Sequence, residues 1–127
     1  MRIAIHILEG ITMTDEEKQN LNVKLAKWLG WEVIYDGYGF WWRVNNQASG
    51  WGTSTSLPKF TDSLDACFNW LILRLFELDL EYRLYSDDGY HFCQIKKQFA
   101  NDVIADSKGG HLNPALALCV AIENLKI

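Results

Sequence analysis

The stretch LAKWLGWEVIYDGYGFWWRV, residues 25–44, decides the class of fold. It opens as the end of an amphipathic helix, and Gly30 is the kind of residue at which such a helix stops. Two runs of β-branched and aromatic residues follow, WEVIY at 31–35 and FWWRV at 40–44. The Asp-Gly pair that begins at Asp36 is a strong turn signal, so the two runs are predicted to form an antiparallel hairpin.

The residues before this stretch predict where its helix begins. Thr14 and Glu17 have the spacing of a capping box, in which each side chain satisfies a backbone N–H of the other residue. Apolar residues then recur with the helical period, so we expect a helix over about 14–29. Residues 1–13 begin with an apolar alternation, and we expect them to form a loosely attached strand or a flexible lead.

Two further elements follow the first hairpin. Thr61 or Ser63 is predicted to cap a central helix that runs to about Leu78. The apolar residues of this helix cover more than half of its circumference, which indicates packing against more than one neighbour. The runs 80–85 and 90–99 then flank a second Asp-Gly turn and are predicted to form a second hairpin.

The end of the chain adds a third strand and a last helix. Val103 and Ile104 extend the second hairpin, and Asn113 caps a helix that has no polar residue from 116 to 122. That helix is expected to be buried on most sides. The resulting order, (β)αββαβββα, predicts an α+β fold in a single domain over 1–127. We expect a three-layer α/β/α sandwich with a mainly antiparallel sheet and about three helices.

The composition restricts the kinds of partner. At 127 residues with 49% hydrophobic residues, the chain has the length and composition of one globular domain. The net charge of −4 argues against a general affinity for nucleic-acid phosphates or an anionic membrane. No signal peptide is predicted, and no apolar run reaches the roughly 20 residues of a membrane span. We therefore expect a cytoplasmic protein whose partner is neither a membrane nor a specific nucleic-acid sequence.

The polar residues give little indication of catalysis. No phosphate loop, dinucleotide fingerprint or zincin motif is present. His91 near Asp87 and Asp88, and Asp62 near Asp65, are two groupings that suggest acid–base or metal chemistry. A hairpin turn and a helix N-terminus favour the same residues without any catalysis. No catalytic residue, metal ligand or cofactor is therefore predicted.

The cysteines and one pair of lysines allow two further expectations. Cys67 and Cys119 lie on apolar helix faces, where a buried thiol is normally inert. Cys93 lies in an alternating strand and is the one thiol expected to be exposed. Lys96 and Lys97 of the same strand resemble a weak nucleic-acid surface, and an edge strand protected against aggregation explains them equally well.

Six tryptophans stand out in this composition, and three of them, Trp41, Trp42 and Trp51, lie in the stretch 38–56. Adjacent residues of a strand point to opposite faces, so Trp41 and Trp42 cannot lie on the same side. Two interpretations stay open: both belong to the core, or one of them joins an exposed aromatic patch. Trp, Tyr and Arg are the usual anchors of protein interfaces. The candidate binding residues are Tyr38, Trp42, Arg43 and Trp51.

Three segments, taken in their order along the chain, carry a family resemblance. They are LAKWLGWEV at 25–33, LPKFTDSLDACFNWLI at 57–72 and GGHLNPALALCVAIENLK at 109–126. Together they resemble the phage ABA sandwich domain family of small bacteriophage proteins. The resemblance implies an α/β/α sandwich encoded by a phage or prophage, and it implies no activity because the function of that family is unknown. The sequence departs from the family in its N-terminal lead and in residues 38–56, where we expect whatever is particular to this protein.

Two hypotheses of function follow, from different classes. The first is a non-enzymatic phage or prophage accessory protein that binds a host or phage protein. Inhibitors of host machinery, with counter-defence proteins such as anti-CRISPRs among them, are the class that it would join. The second is a small-ligand protein that sequesters a nucleotide by stacking an aromatic side chain on its base. Such a protein is expected to be oligomeric, with its apolar C-terminal helix at the interface.

Overall fold

The computed structural model describes residues 13–44, 51–53 and 56–126. Over these residues the chain forms a mixed α+β fold with three helices and two antiparallel sheets, which confirms the predicted class. The helices are α1 (Asp15–Trp28), α2 (Leu64–Ala66, then a π-helical turn Cys67–Leu71, then Ile72–Glu77) and α3 (Pro114–Glu123). The strands are β1 (Glu32–Tyr35), β2 (Phe40–Arg43), β3 (Gly52–Thr53), β4 (Leu80–Asp87), β5 (Tyr90–Lys97) and β6 (Val103–Asp106).

Helix α1 begins and ends as its sequence predicts. Thr14 Oγ1 accepts a hydrogen bond from the Glu17 N–H at 3.1 Å, and Glu17 Oε1 accepts one from the Thr14 N–H at 3.3 Å. At the other end Gly30 has a φ of 86°, in the left-handed region that favours glycine. The Trp31 N–H donates to the Ala26 carbonyl at 3.0 Å, so the end of the helix leads directly into strand β1.

The first sheet is the predicted hairpin of β1 and β2, with the short strand β3 paired to β2. Tyr35 pairs with Phe40, so a four-residue turn connects the two strands. The Asp36 N–H donates to the Gly39 carbonyl at 3.2 Å, and Gly37 has a φ of 94°. The predicted hairpin is therefore confirmed, and its register decides which side chains face solvent.

The second sheet has the order β4–β5–β6, with β5 in the middle. This arrangement confirms the second hairpin and its extension by the strand that contains Val103 and Ile104. The interpretation of Lys96 and Lys97 as residues of an edge strand is wrong, because β5 forms antiparallel ladders on both sides. Lys96 instead forms an ion pair with Glu81 of β4, with Nζ and Oε2 3.2 Å apart.

Helix α3 is capped by Asn113 and buried within its own chain. Asn113 Oδ1 accepts a hydrogen bond from the Ala115 N–H at 2.8 Å, and Pro114 is the first helical residue. The side chains from Ala115 to Cys119, together with Ala121 and Ile122, are buried. The expectation that this helix forms an oligomer interface is wrong, because its apolar surface is already covered by the second sheet and by helices α1 and α2.

The core lies where the three helices meet the second sheet. Residues Cys93 and Ile95 of β5 and Ala105 of β6 face helix α3 from the sheet side. Burial of each large aliphatic side chain contributes about 1.5–3 kcal/mol to stability. The largest wholly buried apolar side chains are Leu25, Phe60, Leu71, Leu75, Ile95, Leu118 and Ile122.

The strands divide between two sheets, whereas one sheet was expected. Strand β2 pairs with β1 and β3, and β5 pairs with β4 and β6, so each hairpin has its own third strand. The predicted strand or lead over 1–13 lies outside the described residues except for Met13, which packs against the core.

Replacing Asn22 with alanine is expected to destabilise the fold by about 1–3 kcal/mol. Asn22 is buried, and its Oδ1 accepts a hydrogen bond from the backbone N–H of the buried Thr61 at 3.1 Å. The substitution leaves the N–H of the buried Thr61 without its acceptor. Urea denaturation measures the effect, with the exposed Asn101→Ala as the control. Equal stability of the two variants would contradict the structural role given to Asn22.

Candidate binding site

The strand register sorts the aromatic residues of the first hairpin onto two faces. Directly paired residues of antiparallel strands lie on the same face. Val33 pairs with Trp42, and both side chains pack against the core. Ile34 pairs with Trp41, and these side chains are 52% and 38% exposed. The two adjacent tryptophans therefore have different surroundings, as the alternation of a strand requires.

Trp42 belongs to an aromatic cluster that joins the first sheet to helix α2. Its ring stacks on Trp31 with 5.1 Å between centroids, and the Trp31 ring meets Trp70 edge to face at 5.0 Å. Trp42 Nε1–H donates to Ser56 Oγ at 3.1 Å. The prediction that Trp42 belongs to an exposed patch is therefore wrong. In the register of this hairpin, the Trp42 side chain faces the core and the Trp41 side chain faces solvent.

Trp41 is held in place on the outer face by Asp36. Its Nε1–H donates to Asp36 Oδ2 at 2.7 Å. Asp36 Oδ1 also accepts hydrogen bonds from the backbone N–H groups of Tyr38, at 2.8 Å, and Gly39, at 3.0 Å. The Trp41 indole and these two N–H groups stabilise the carboxylate, and they lower the pKa of Asp36 below its ordinary value. One carboxylate thus organises the turn and orients the exposed indole.

Arg43 and Trp51 continue the outer face away from the turn. The Arg43 guanidinium lies 4.5 Å from the centroid of the Trp51 ring, the geometry of a cation–π contact. Arg43 Nη2 also lies 3.1 Å from Glu32 Oε2 on the paired strand. We call the surface formed by Ile34, Trp41, Arg43 and Trp51 the hairpin face; Tyr38, which is 99% exposed, stands at its turn end.

The pH dependence of Asp36 gives a test of this geometry. Because the pKa of Asp36 is lowered in the folded chain, its contribution is complete above the ordinary value of 3.8 and is lost only as the pH falls below it. We expect the indole N–H resonance of Trp41 to shift as Asp36 is protonated, with the midpoint of the shift below 3.8. The indole resonance of Trp42, whose acceptor is a serine hydroxyl, is the internal control. A Trp41 shift centred above 3.8 would contradict the hydrogen bond.

The outer face of the second sheet contains a hollow. A depression of about 220 Å³ is lined by Arg83, Gln94 and Lys96 among others. Beside it the Tyr85 ring contacts Phe92 in a stack with 5.2 Å between centroids, and the Arg83 guanidinium lies 5.1 Å from the Tyr85 centroid. Lys96 Nζ donates to the Ala100 carbonyl at 2.6 Å in addition to its ion pair with Glu81. Arg83 and Lys96 therefore already have partners within the second sheet, which leaves less for a ligand to bind.

Two residues of the groupings considered for acid–base or metal chemistry, Asp62 and His91, make structural contacts. Lys18 Nζ lies 3.3 Å from Asp62 Oδ1, while Ser63 caps the first turn of helix α2. The His91 N–H donates to the His111 carbonyl at 2.7 Å, so His91 is part of a backbone bridge. In the part of the chain that the structure describes, no group of three or more His, Cys, Asp or Glu side chains could hold a metal ion.

All three cysteines are buried thiols. The expectation that Cys93 is exposed is wrong, because it lies on the face of β5 that packs against helix α3. Burial raises the pKa of Cys93 to about 12, so the reactive thiolate is absent at neutral pH. Cys67 and Cys119 are buried as expected, with their sulfur atoms 3.9 Å apart. Burial and the Cys67 contact raise the pKa of Cys119 as well.

Two members of the hairpin face, Ile34 and Trp41, are absent from the predicted site. The signal that identifies them is present in the sequence. A four-residue turn pairs Glu32 with Arg43 and Ile34 with Trp41, and both pairs then lie on one face. Charged residues at two of these four positions mark that face as the one exposed to solvent.

Comparison with protein families, curated proteins and solved structures gave no match to this chain. The interpretation of the hairpin face therefore depends on its own geometry. Among the helices in residues 13–44 and 56–126, none combines the length and apolar character needed to cross a membrane.

Proposed function

We propose that the protein is a non-enzymatic accessory protein of a bacteriophage or prophage that binds a host protein through the hairpin face. The observation that carries the proposal is the exposure of Ile34 and Trp41 side by side on the paired strands β1 and β2, next to Arg43. Tryptophan and arginine are enriched among the residues that dominate the energy of protein interfaces.

The hairpin face has the organisation that favours binding. The Asp36 carboxylate holds the Trp41 indole at 2.7 Å, so little side-chain entropy is lost when a partner covers it. Contact of Arg43 with both Trp51 and Glu32 orients its guanidinium in the same way. An apolar centre with an oriented charge at its rim is typical of protein-binding surfaces.

The origin of the protein, its location and its functional class are part of the same proposal. The resemblance of residues 25–33, 57–72 and 109–126 to the phage ABA sandwich domain family supports a phage or prophage origin and a three-layer α/β/α arrangement. We place the protein in the host cytoplasm, among small inhibitors of host machinery that include counter-defence proteins such as anti-CRISPRs. The absence of a recognised catalytic motif from the sequence favours inhibition by binding over catalysis.

Capture from a host lysate tests the proposal. The tagged full-length chain is compared with Trp41→Ala and with Phe99→Ala, a control that removes an aromatic side chain 92% exposed outside the hairpin face. We expect one host protein to be retained by the wild type and by Phe99→Ala, and lost with Trp41→Ala. Retention of no protein, or of the same protein by all three chains, would overturn the proposal.

A thermal-shift panel distinguishes the nucleotide hypothesis. A protein that binds nucleotides is stabilised in proportion to the logarithm of ligand concentration once the site is saturated. We expect no change in Tm with mononucleotides or cyclic nucleotides. The Tyr85 ring, which is the aromatic ring beside Arg83, already stacks on Phe92 within the second sheet. A rise in Tm that increases with nucleotide concentration would favour sequestration of a nucleotide over protein binding.

A further inference from the structure

Strand β1 forms an open edge of the first sheet. Strand β2 lies between β1 and β3, so β1 is paired on one side only. In an antiparallel pair, the backbone groups of alternate residues point to the partner strand, and those of the residues between them point away. The Asp36 N–H donates to the Gly39 carbonyl across the hairpin, so the backbone groups of Ile34, two positions earlier, also point to β2. The backbone N–H and C=O groups of Val33 and Tyr35 therefore point away from the hairpin.

The outward groups at the end of β1 are accessible and unpaired. The Trp31 N–H, which points to the same side, donates to the Ala26 carbonyl at the end of α1. In the part of the chain that the structure describes, the outward backbone groups of Val33 and Tyr35 make no such bond. The side chains here are exposed, 52% for Ile34 and 65% for Tyr35. Two N–H and two C=O groups thus stand open at the spacing of a β-ladder.

The side chains beside this edge have an acidic–apolar–acidic pattern. Glu32 and Ile34 of β1 and Asp36 of the turn are alternate residues, so they lie on the hairpin face. Glu32 contacts Arg43 and Asp36 holds Trp41, and both carboxylates remain exposed to solvent. A strand added to the edge places its own alternate side chains beside these three. Basic residues beside the carboxylates and an apolar residue beside Ile34 form favourable cross-strand pairs.

We infer, on the basis of the proposed function, that the host partner binds by adding an extended strand to the open edge of β1. The added segment has an apolar residue with a basic residue two positions away on each side. An extended backbone fits unpaired groups at this spacing, and its alternate side chains provide specificity. The strand extends the first sheet and seats its apolar residue against Ile34, on the side away from Trp41. The rest of the partner covers the hairpin face.

A proline substitution tests the hydrogen bonds of this edge. Tyr35→Pro removes one outward N–H and keeps the bonds between β1 and β2, since proline is tolerated where the N–H faces away from the ladder. Tyr35→Ala loses the same aromatic side chain and keeps the N–H, so it is the matched control. We expect Tyr35→Pro to bind the captured host protein about tenfold more weakly than Tyr35→Ala in isothermal titration calorimetry. Equal affinities of the two variants would overturn strand addition.

Hydrogen exchange of the wild-type chain gives a second test, which needs no substitution. In the free chain we expect the amides of Val33 and Tyr35 to exchange much faster than the amide of Ile34, which points to β2. Binding of the host protein is expected to slow exchange at Val33 and Tyr35 at least tenfold. Slow exchange at both amides in the free chain would show that the edge is already covered, by residues 1–12 or by a second copy. That result, or unchanged exchange on binding, overturns the proposal.

Charge reversal tests the composition of the added strand. Glu32→Lys places a positive charge beside a basic residue of the partner, so we expect it to weaken binding at least tenfold. Glu16→Lys, which makes the same change at an exposed residue of α1, is expected to bind within about twofold of the wild type. Circular dichroism verifies that both variants are folded. Equal losses for the two would show a general effect of charge, and would overturn the basic residue opposite Glu32.

The proposed function and the strand addition fail in different ways. Retention of no host protein overturns the proposed function, and the strand addition with it. The other case is a host protein that is lost with Trp41→Ala and binds Tyr35→Pro and Tyr35→Ala equally. That result leaves binding through the hairpin face intact and overturns strand addition alone.

Discussion

Replacing Phe60 with alanine is expected to lower the free energy of unfolding by about 3–5 kcal/mol. The Phe60 side chain is wholly buried, and its ring centroid lies 6.0 Å from that of Trp31 at the start of the first sheet. Its carbonyl oxygen accepts a hydrogen bond from the Cys67 thiol of helix α2 at 3.1 Å. Truncation leaves a cavity between sheet and helix that the rigid rings of Trp31 and Trp42 cannot fill.

Equilibrium denaturation in urea measures this loss. Phe99→Ala is the matched control, because the same atoms are removed from a side chain that is 92% exposed. The control is expected to change stability by less than about 0.5 kcal/mol. Similar stability changes for the two alanine variants would show that Phe60 is not part of the core.

Replacing Trp41 with alanine is expected to weaken binding of the captured host protein by about 30-fold or more, or at least 2 kcal/mol. The indole is large, exposed and already oriented by Asp36, so its contact area contributes fully when a partner covers it. The stability of the free chain is expected to change by less than about 1 kcal/mol, because the side chain lies outside the core.

Isothermal titration calorimetry with the purified partner measures the change in affinity. Phe99→Ala and Val103→Ala, which alter exposed side chains elsewhere, are expected to bind within about twofold of the wild type. An unchanged affinity for Trp41→Ala would exclude the hairpin face as the main contact. Equal losses in all three variants would indicate a general effect on the chain.

The elements could be predicted from the sequence because their signals are local. Thr14 and Glu17 specify the start of α1 within one turn, and Asn113 with Pro114 does the same for α3. The turn at Asp36 fixes a hairpin from four residues. In each case the residues that carry the signal contact one another directly in the fold.

The relations between elements could not be predicted in the same way. Helices α2 and α3 are both apolar, yet only α3 is enclosed. Helix α3 packs against the second sheet and helix α1, and its N-cap residue Asn113 donates through Nδ2 to the distant Thr61 carbonyl at 2.7 Å. Likewise Cys93 is buried because β6 pairs with β5 and α3 covers the sheet. No local pattern contains these contacts.

The hairpin face could be predicted from the sequence only in part. The register and the charges at Glu32 and Arg43 are local, so the outward side of Trp41 follows from them. The inward side of Trp42 also needs Trp31 and Trp70, and the second of these comes from a distant helix. The candidate residues Tyr38, Arg43 and Trp51 could thus be named from sequence, whereas the choice between adjacent tryptophans required the register.

Nuclear magnetic resonance of the labelled chain, titrated with the purified host partner, tests the binding surface most directly. We expect the methyl signals of Ile34 and the indole signal of Trp41 to shift or broaden as the complex forms. The methyl signals of Val103 and Ile104 on the second sheet are expected to stay unchanged. Shifts at Val103 and Ile104, with Ile34 and Trp41 unaffected, would contradict binding through the hairpin face.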